Sequence, residues 1–257
     1  MELTRALLNR EEILRYLGYR GTEILPHTEK LIEDSMSQIL ELARPAYVYR
    51  RYSIWRPAER TEEKRILVKG TNLCLTGEDI CRHLEGCAEL YLLCATIGAF
   101  VDRQIRLKMM TDPAAGVVLD SCGSVAVEQV TEAAEQEIEK EVTAEGKQIT
   151  WRFSPGYGDL PLELQQEIAD ILDLHRRLGV SVSEDMLLAP SKSVTAIIGV
   201  MDTPVWMESE KEAEKADREA NKEKEVDTKR IQEKCERCSN RERCNFYVKG
   251  KSCRGGR

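Results

Sequence analysis

Apolar residues recur at helical spacing in two long stretches of the chain. Between residues 26 and 45 they appear at every third or fourth position until Pro45, which predicts an amphipathic helix. A longer helical pattern covers residues 112–146 and ends at Gly146. Pro113 stands in its first turn, where a helix tolerates proline because no backbone N–H is needed there. Shorter helices are expected at 9–18, 76–86, 98–110 and 161–179.

Other stretches have the composition of β-strands. Residues 46–55 are rich in β-branched and aromatic side chains, and residues 65–75 form two apolar runs around a Lys69-Gly70 turn. Residues 88–98 are almost continuously apolar, which indicates a central strand buried on both faces. Two more strands are expected around the Pro-Ser-Lys-Ser turn at 190–193. Because helices and strands mix without strict alternation, the pattern predicts an α+β fold.

Composition and charge narrow the possible partners. The chain has 257 residues, 42% of them hydrophobic, and a net charge of −7. This acidic balance argues against nucleic acid and against an anionic membrane surface as partners. No apolar run approaches the roughly 18 residues of a membrane span, and the N-terminus lacks the apolar core of a signal peptide. We therefore expect a cytoplasmic protein.

The nine cysteines fall into two groups. Five are scattered through apolar sequence and are expected to be buried thiols: Cys74, Cys81, Cys87, Cys94 and Cys122. The other four form a C-x2-C-x5-C-x8-C pattern: Cys235, Cys238, Cys244 and Cys253. Four thiolates in a short polar tail favour zinc or an iron–sulfur cluster, and a loose redox-active tail is the alternative.

Changes in composition along the chain predict three segments. Residues 1–205 contain the helix and strand patterns and form the expected folded domain. Residues 206–234 are dominated by charged side chains, with opposite charges four positions apart, which is typical of a solvated helix or a linker. Residues 235–257 form the cysteine-rich tail, whose excess of basic residues could steer it toward an acidic partner.

The stretch WRFSPGYGDLP, residues 151–161, breaks regular structure around one arginine. Its glycines allow backbone groups to approach a ligand without an intervening Cβ, and its prolines stiffen the turn. The guanidinium of Arg152 suits bidentate binding of a carboxylate or phosphate. From the residues alone, an inert turn is the alternative interpretation.

Three stretches resemble the reactivation domain of cobalamin-dependent methionine synthase. RFSPGYGDLP, at 152–161, is similar to that family's Arg-x-x-Pro-Gly-Tyr-x-x-x-Pro signature. The helix at 124–138 resembles the acidic helix upstream of the signature, and residues 187–202 resemble the later Pro turn and strand. The resemblance covers about residues 1–205 and implies a mainly antiparallel, bent sheet flanked by helices. It also implies a free-standing domain, since 257 residues leave no room for the other methionine synthase modules.

The resemblance implies a binding site for S-adenosylmethionine. Arg152 would pair with the ligand carboxylate, and the backbone of Pro155, Gly156 and Tyr157 would face the adenosine and the edge of the cobalamin. Further backbone contacts fall at two later residues, Ile198 and Gly199. Glu128 occupies the position of an acidic helix residue near the ligand's amino group, with a solvated helix face as the alternative. No general base or nucleophile stands out, so no catalytic residue is assigned.

The cobalamin itself is expected to arrive on a partner protein. Residues 173–179 resemble the Asp-x-His-x-x-Gly signature of a cobalamin module, but they are one residue too long and continue a helical pattern. His175 is therefore interpreted as a helix-surface residue. The implied partners are a methionine synthase or related corrinoid protein and a flavodoxin- or ferredoxin-like electron donor. The alternative function is a corrinoid-associated electron-transfer or metal-sensing adaptor that acts through the cysteine tail.

Overall fold

A computed structural model describes residues 3–19, 24–57 and 64–202 of the chain. The charged segment 206–234 and the four tail cysteines lie outside the described residues. The helices are α1 Arg10–Tyr16, α2 Pro26–Leu42, α3 Glu78–His83, α4 Ala99–Thr111, α5 Pro113–Ala144, α6 Leu164–Leu172 and α7 Leu174–Leu178. The strands are β1 Ala46–Trp55, β2 Arg65–Val68, β3 Cys74–Thr76, β4 Cys87–Thr96, β5 Lys147–Ile149, β6 Ser181–Val182, β7 Leu188–Ala189 and β8 Ser193–Asp202.

Six strands form one antiparallel sheet in the order β3-β2-β1-β4-β8-β5. The expected central strand is β4, which pairs with β1 on one side and with β8 on the other, as at Tyr49↔Leu93 and Leu90↔Gly199. Helices cover the sheet, so the predicted α+β class with a mainly antiparallel sheet is confirmed.

Side chains of β4 alternate between two buried layers, which explains its continuous apolar sequence. Tyr91 and Leu93 pack with residues of α5, whereas Leu90 and Leu92 pack with α3, α6 and α7. A third apolar cluster joins α1, α2 and α4 to the N-terminal half of α5. The 32-residue helix α5 therefore contributes to two of the three cores and fixes their relative position.

Tyrosines of the sheet hold the C-terminal half of α5 in place. The hydroxyls of Tyr49 and Tyr91 donate to the two carboxylate oxygens of Glu141 at 2.8 and 3.1 Å, and Tyr47 donates to Glu137. Burial and the neighbouring carboxylate raise the pKa of Tyr47 to about 12, so its hydroxyl keeps the donated proton. These bonds fix the rotation of α5 about its axis.

The helix expected over 161–179 is divided in two. Helix α6 ends at Leu172, and Asp173 adopts the left-handed conformation with φ of 54° before α7 begins. Leu172 and Leu174 are both buried, and the interruption allows both side chains to reach the same core. Of the two strands expected around the Pro-Ser-Lys-Ser turn, β7 pairs with β6 in a separate hairpin while β8 enters the main sheet.

Candidate functional site

The loop at 151–161 begins as a short extension of the sheet. Phe153 and Ile197 exchange two backbone hydrogen bonds of 2.9 and 2.7 Å, which align the start of the loop beside β8. The loop then folds back on itself, because the N–H of Gly156 donates to the carbonyl of Leu160 at 2.9 Å. Its backbone therefore has a defined path without any ligand.

Two glycines permit this path. Gly156 and Gly158 have φ of 84° and 54°, in the region that favours glycine. A Cβ on Gly158 would lie 2.4 Å from Oδ2 of Asp79 in helix α3. The carboxylate of Asp159 accepts the backbone N–H groups of Glu78 and Asp79 at 2.5 and 3.1 Å and so caps α3. The loop is stiff because it is fixed to α3 as well as closed on itself.

The side chain of Arg152 is only 6% exposed and extends toward α5. Its Nη2 donates to Oε2 of Glu128 at 3.0 Å. Its Nε lies 3.2 Å from Oε2 of Glu135, but the geometry is not that of a hydrogen bond, and this buried N–H has no acceptor. The structure thus brings the predicted residues Arg152 and Glu128 into direct contact and leaves one buried donor unused.

Glu135 was not predicted from the sequence. Its side chain is 11% exposed, whereas that of Glu128 is 40% exposed. The two carboxylates are seven residues apart, which is two helical turns and puts them on one face of α5. The seven-residue spacing could have indicated that the two carboxylates share a site. The acidic helix contains several other carboxylate pairs on one face, so the spacing alone did not single out Glu135.

A second cation lies along the same face of α5. Nζ of Lys192 lies 2.8 Å from Oδ1 of Asp120 and donates to Oγ of Ser124 at 2.9 Å. Ser124 precedes Glu128 by one helical turn, so the Lys192 amine and the Arg152 ion pair are neighbours on the helix. Lys192 could not be predicted from the sequence as part of this site, because its partners lie about 70 residues earlier in the chain.

Of the remaining predicted loop residues, Pro155 is buried while Gly156 and Tyr157 are exposed, with the Tyr157 side chain open to solvent. Ile198 and Gly199 lie inside the sheet on β8. The N–H of Gly199 donates to the Thr150 hydroxyl at 2.8 Å, and its carbonyl accepts the N–H of Thr150 at 2.9 Å. A ligand contact with the Gly199 backbone would have to replace these bonds.

A buried histidine supports the start of the loop from the other side of the sheet. His83 Nε2 lies 2.9 Å from the Thr150 hydroxyl, and its ring contacts the rings of Trp151 and Phe153. Desolvation lowers the pKa of His83 to about 4, so the ring is neutral at physiological pH. No motif in the sequence predicted a role for this histidine.

The described cysteines are free thiols. Cys87, Cys94 and Cys122 are buried and free, and burial raises the pKa of Cys94 and Cys122 to about 12. Cys74 and Cys81 are only partly buried. Of the five cysteines that were expected to be buried, three are therefore fully buried. Within the described ranges, no group of His, Cys, Asp and Glu could hold a metal ion. His175 is exposed on α7, as expected for a helix-surface residue.

No protein-family model matches the chain, and no curated protein matches its sequence. Among solved structures, the fold is similar to the crystal structure of the MetH reactivation domain bound to AdoHcy. The TM-score is 0.53 at 14% sequence identity, and the match covers 77% of each chain. At this identity the likeness defines the fold. In the described part of the chain, no helix is both long enough and apolar enough to cross a membrane.

Proposed function

We propose that the protein binds S-adenosylmethionine at Arg152 and the loop Pro155–Tyr157. It would assist the reductive methylation of cobalamin that is carried by a separate methionine synthase or corrinoid methyltransferase, with the electron supplied by a flavodoxin- or ferredoxin-like protein. The proposal joins the signature at 152–161 to the fold, which is similar to a reactivation domain solved with AdoHcy. The observation that carries it is the buried guanidinium of Arg152, one of whose two carboxylate partners, Glu128, is partly exposed and can be exchanged for a ligand carboxylate.

The site suits the amino-acid end of the ligand. A ligand carboxylate at Arg152 could take the place of Glu128, whose side chain is partly exposed and able to move. Glu135 is more buried and would keep its position beside the guanidinium. The displaced Glu128 would then pair with the ligand's ammonium group. A molecule that carries an ammonium and a carboxylate group on the same carbon would thereby satisfy Arg152 and Glu128 together.

The protein's own contribution is to hold the ligand in place. The ligand supplies a methyl group on its sulfonium, and the partner's cobalamin supplies the acceptor, so the cofactors provide the bond-making chemistry. Arg152 fixes one end of the ligand, and the loop presents the exposed backbone of Gly156 and Tyr157 beside it. A loop that is ordered before binding loses little conformational entropy, which favours both affinity and orientation.

Isothermal titration calorimetry with S-adenosylmethionine and S-adenosylhomocysteine tests the binding step. We expect Arg152→Gln to weaken binding at least about tenfold, because a charge-assisted contact with the ligand carboxylate is lost. Arg177→Gln is the matched control, since this arginine is exposed on α7. Unfolding curves verify that the variants are folded. Absence of binding by the wild type at millimolar ligand, or equal binding by Arg152→Gln, would overturn the proposal.

A second candidate function rests on the C-x2-C-x5-C-x8-C tail, which lies outside the described residues. In this alternative, the protein is an electron-transfer or metal-sensing adaptor for a corrinoid system. Metal analysis and an anaerobic visible spectrum distinguish the cases, because an iron–sulfur cluster absorbs in the visible and zinc does not. If Cys235→Ser and Cys238→Ser leave the metal content unchanged, the tail does not hold a metal through this pair.

A further inference from the structure

Exposed apolar side chains are concentrated at one corner of the molecule. Phe100, Leu107 and Met110 of α4 are 59%, 52% and 84% exposed. Their spacing of seven and three residues places them in one stripe along the outer face of the helix. Val117, in the first turns of α5, is 48% exposed and directly follows Gly116, which packs against the backbone of Met109 near the end of α4. Isolated exposed apolar residues are ordinary, but a contiguous group indicates a binding surface.

Two arginines lie within the same stripe. Arg103 and Arg106 are exposed, and neither guanidinium forms an ion pair or hydrogen bond with the residues the structure describes. By contrast, the exposed Arg10 and Arg82 each bind a carboxylate. We define the α4 surface as Phe100, Arg103, Arg106, Leu107, Met110 and Val117. It is a basic and apolar surface on a chain whose net charge is −7.

Two acidic residues next to the α4 surface, Asp102 and Asp112, form hydrogen bonds within the protein. Asp102 accepts the N–H groups of Ser191 and Lys192 at 2.5 and 3.3 Å and so holds that turn against α4. Asp112 caps α5 by accepting the N–H of Ala115. In the described structure, the hydrogen bonds of these two carboxylates go to those N–H groups and to the Ser191 hydroxyl, and not to Arg103 or Arg106. Both guanidinium groups can therefore pair with carboxylates of a partner.

We propose that the α4 surface is a docking site for an acidic amphipathic helix of a partner protein. The apolar face of that helix would cover Phe100, Leu107 and Met110, and its flanking Asp or Glu side chains would pair with Arg103 and Arg106. This is the helix-on-helix mode of recognition, in which apolar anchors give affinity and the charges select the partner. The overall negative charge of the chain disfavours an anionic membrane as the occupant.

The position of the surface connects it to the candidate ligand site. Through Asp102, α4 holds the turn that carries Lys192, and Lys192 contacts α5 one helical turn from Glu128. A partner on α4 would therefore lie beside the ligand site without contacting Arg152. The docking proposal does not depend on ligand binding, so either proposal can fail while the other stands.

Fluorescence anisotropy with two synthetic peptides tests the docking site. Both peptides form a helix with leucines on one face. In the first peptide glutamates flank the leucines, and in the second peptide lysines stand in place of those glutamates. We expect the wild type to bind the glutamate peptide at least about tenfold more tightly, with an affinity that falls as salt is raised. The double variant R103E/R106E should reverse this preference, and Met110→Ser should weaken the binding of both peptides.

The double variant R176E/R177E is the matched control, because it makes the same charge change at two exposed positions on another helix and should preserve the preference. Equal affinity for the two peptides, or no saturable binding, overturns the proposal.

Two other occupants are tested in parallel. Sedimentation velocity tests for a dimer. If the wild type dimerises and Met110→Ser does not, the surface binds a second copy of the chain. Flotation with phosphatidylserine vesicles tests for a membrane. If the wild type floats with the vesicles and R103E/R106E does not, the surface binds a membrane. Either result overturns docking of an acidic helix.

Discussion

Glu128 and Glu135 bind one guanidinium from unequal environments. The Glu128 side chain is 40% exposed and that of Glu135 is 11% exposed, while Arg152 between them is nearly buried. An exposed carboxylate contributes little to stability because water screens it, whereas loss of a buried partner leaves a charge without compensation. The two glutamates are therefore expected to have different roles, Glu135 in stability and Glu128 in ligand exchange.

This difference predicts unequal effects of two otherwise identical substitutions. Glu135→Gln should lower the free energy of unfolding by about 3 kcal/mol, because it removes a buried charge partner. Glu128→Gln should lower it by only about 0.5 kcal/mol and should weaken the binding of S-adenosylmethionine more than that of a ligand lacking the ammonium group. Urea unfolding and calorimetry measure the two effects. Equal losses of stability would show that exposure does not separate the two carboxylates.

The buried His83 predicts a pH dependence of stability. Its pKa is about 4 in the folded protein and about 6.5 when unfolded, so the unfolded state binds the extra proton between these values. The stabilising contribution is complete above about pH 6.5 and is lost as the pH falls toward 4, up to about 3 kcal/mol. His83→Gln should flatten the stability profile over this range while keeping a polar partner for Thr150. An unchanged profile would mean that other groups cause the dependence.

At the scale of elements, α5 is the helix against which both the proposed ligand site and α4 are positioned. Two of its glycines lie against different neighbours. A Cβ on Gly116 would be 2.8 Å from the backbone N of Met109, whereas a Cβ on Gly123 would be 3.3 Å from Cε of the flexible Lys192 side chain. Backbone of a packed helix cannot move aside as a lysine chain can.

Alanine at the two glycines should therefore have opposite results. Gly116→Ala is expected to destabilise the protein by about 2 kcal/mol through overpacking of α4 against α5. Gly123→Ala should be neutral or stabilising by up to about 1 kcal/mol, because alanine is the better helix former and Lys192 can adjust. Chemical denaturation of both variants provides the comparison. A larger loss for Gly123→Ala would indicate that the Lys192 side chain is held rigidly.

Elements with a strong local pattern could be predicted from the sequence, and long-range partners could not. The continuous apolar run in β4 and the helical period of α5 were sufficient to predict both elements. The capping of α3 by Asp159 and the contact of Lys192 with Asp120 join residues about 80 and 70 positions apart. Periodicity shows which face of an element is buried but not which residue it meets, so the Arg152 loop was predicted while its anchors were not.

At the scale of the whole molecule, the three apolar clusters are expected to unfold together. Helix α5 belongs to two of them, and β4 contributes side chains to all three. The Arg152 loop joins the same body through β8 and α3. A ligand that binds only the folded state should therefore stabilise every element by the same free energy, about 2.7 kcal/mol at about a hundred times its Kd.

Thermal or urea unfolding with and without S-adenosylmethionine tests this cooperativity and the binding site together. Tryptophan fluorescence of the variant W55F/W206F, which keeps only Trp151 next to the site, and far-UV circular dichroism, which reports on the helices, should give one common midpoint. Both midpoints should rise by the same amount with ligand, and Arg152→Gln should remove the rise in both. A rise seen only by fluorescence would mean that the loop region is stabilised independently of α5. In that case the Glu128 and Glu135 contacts would not couple the ligand site to the rest of the fold.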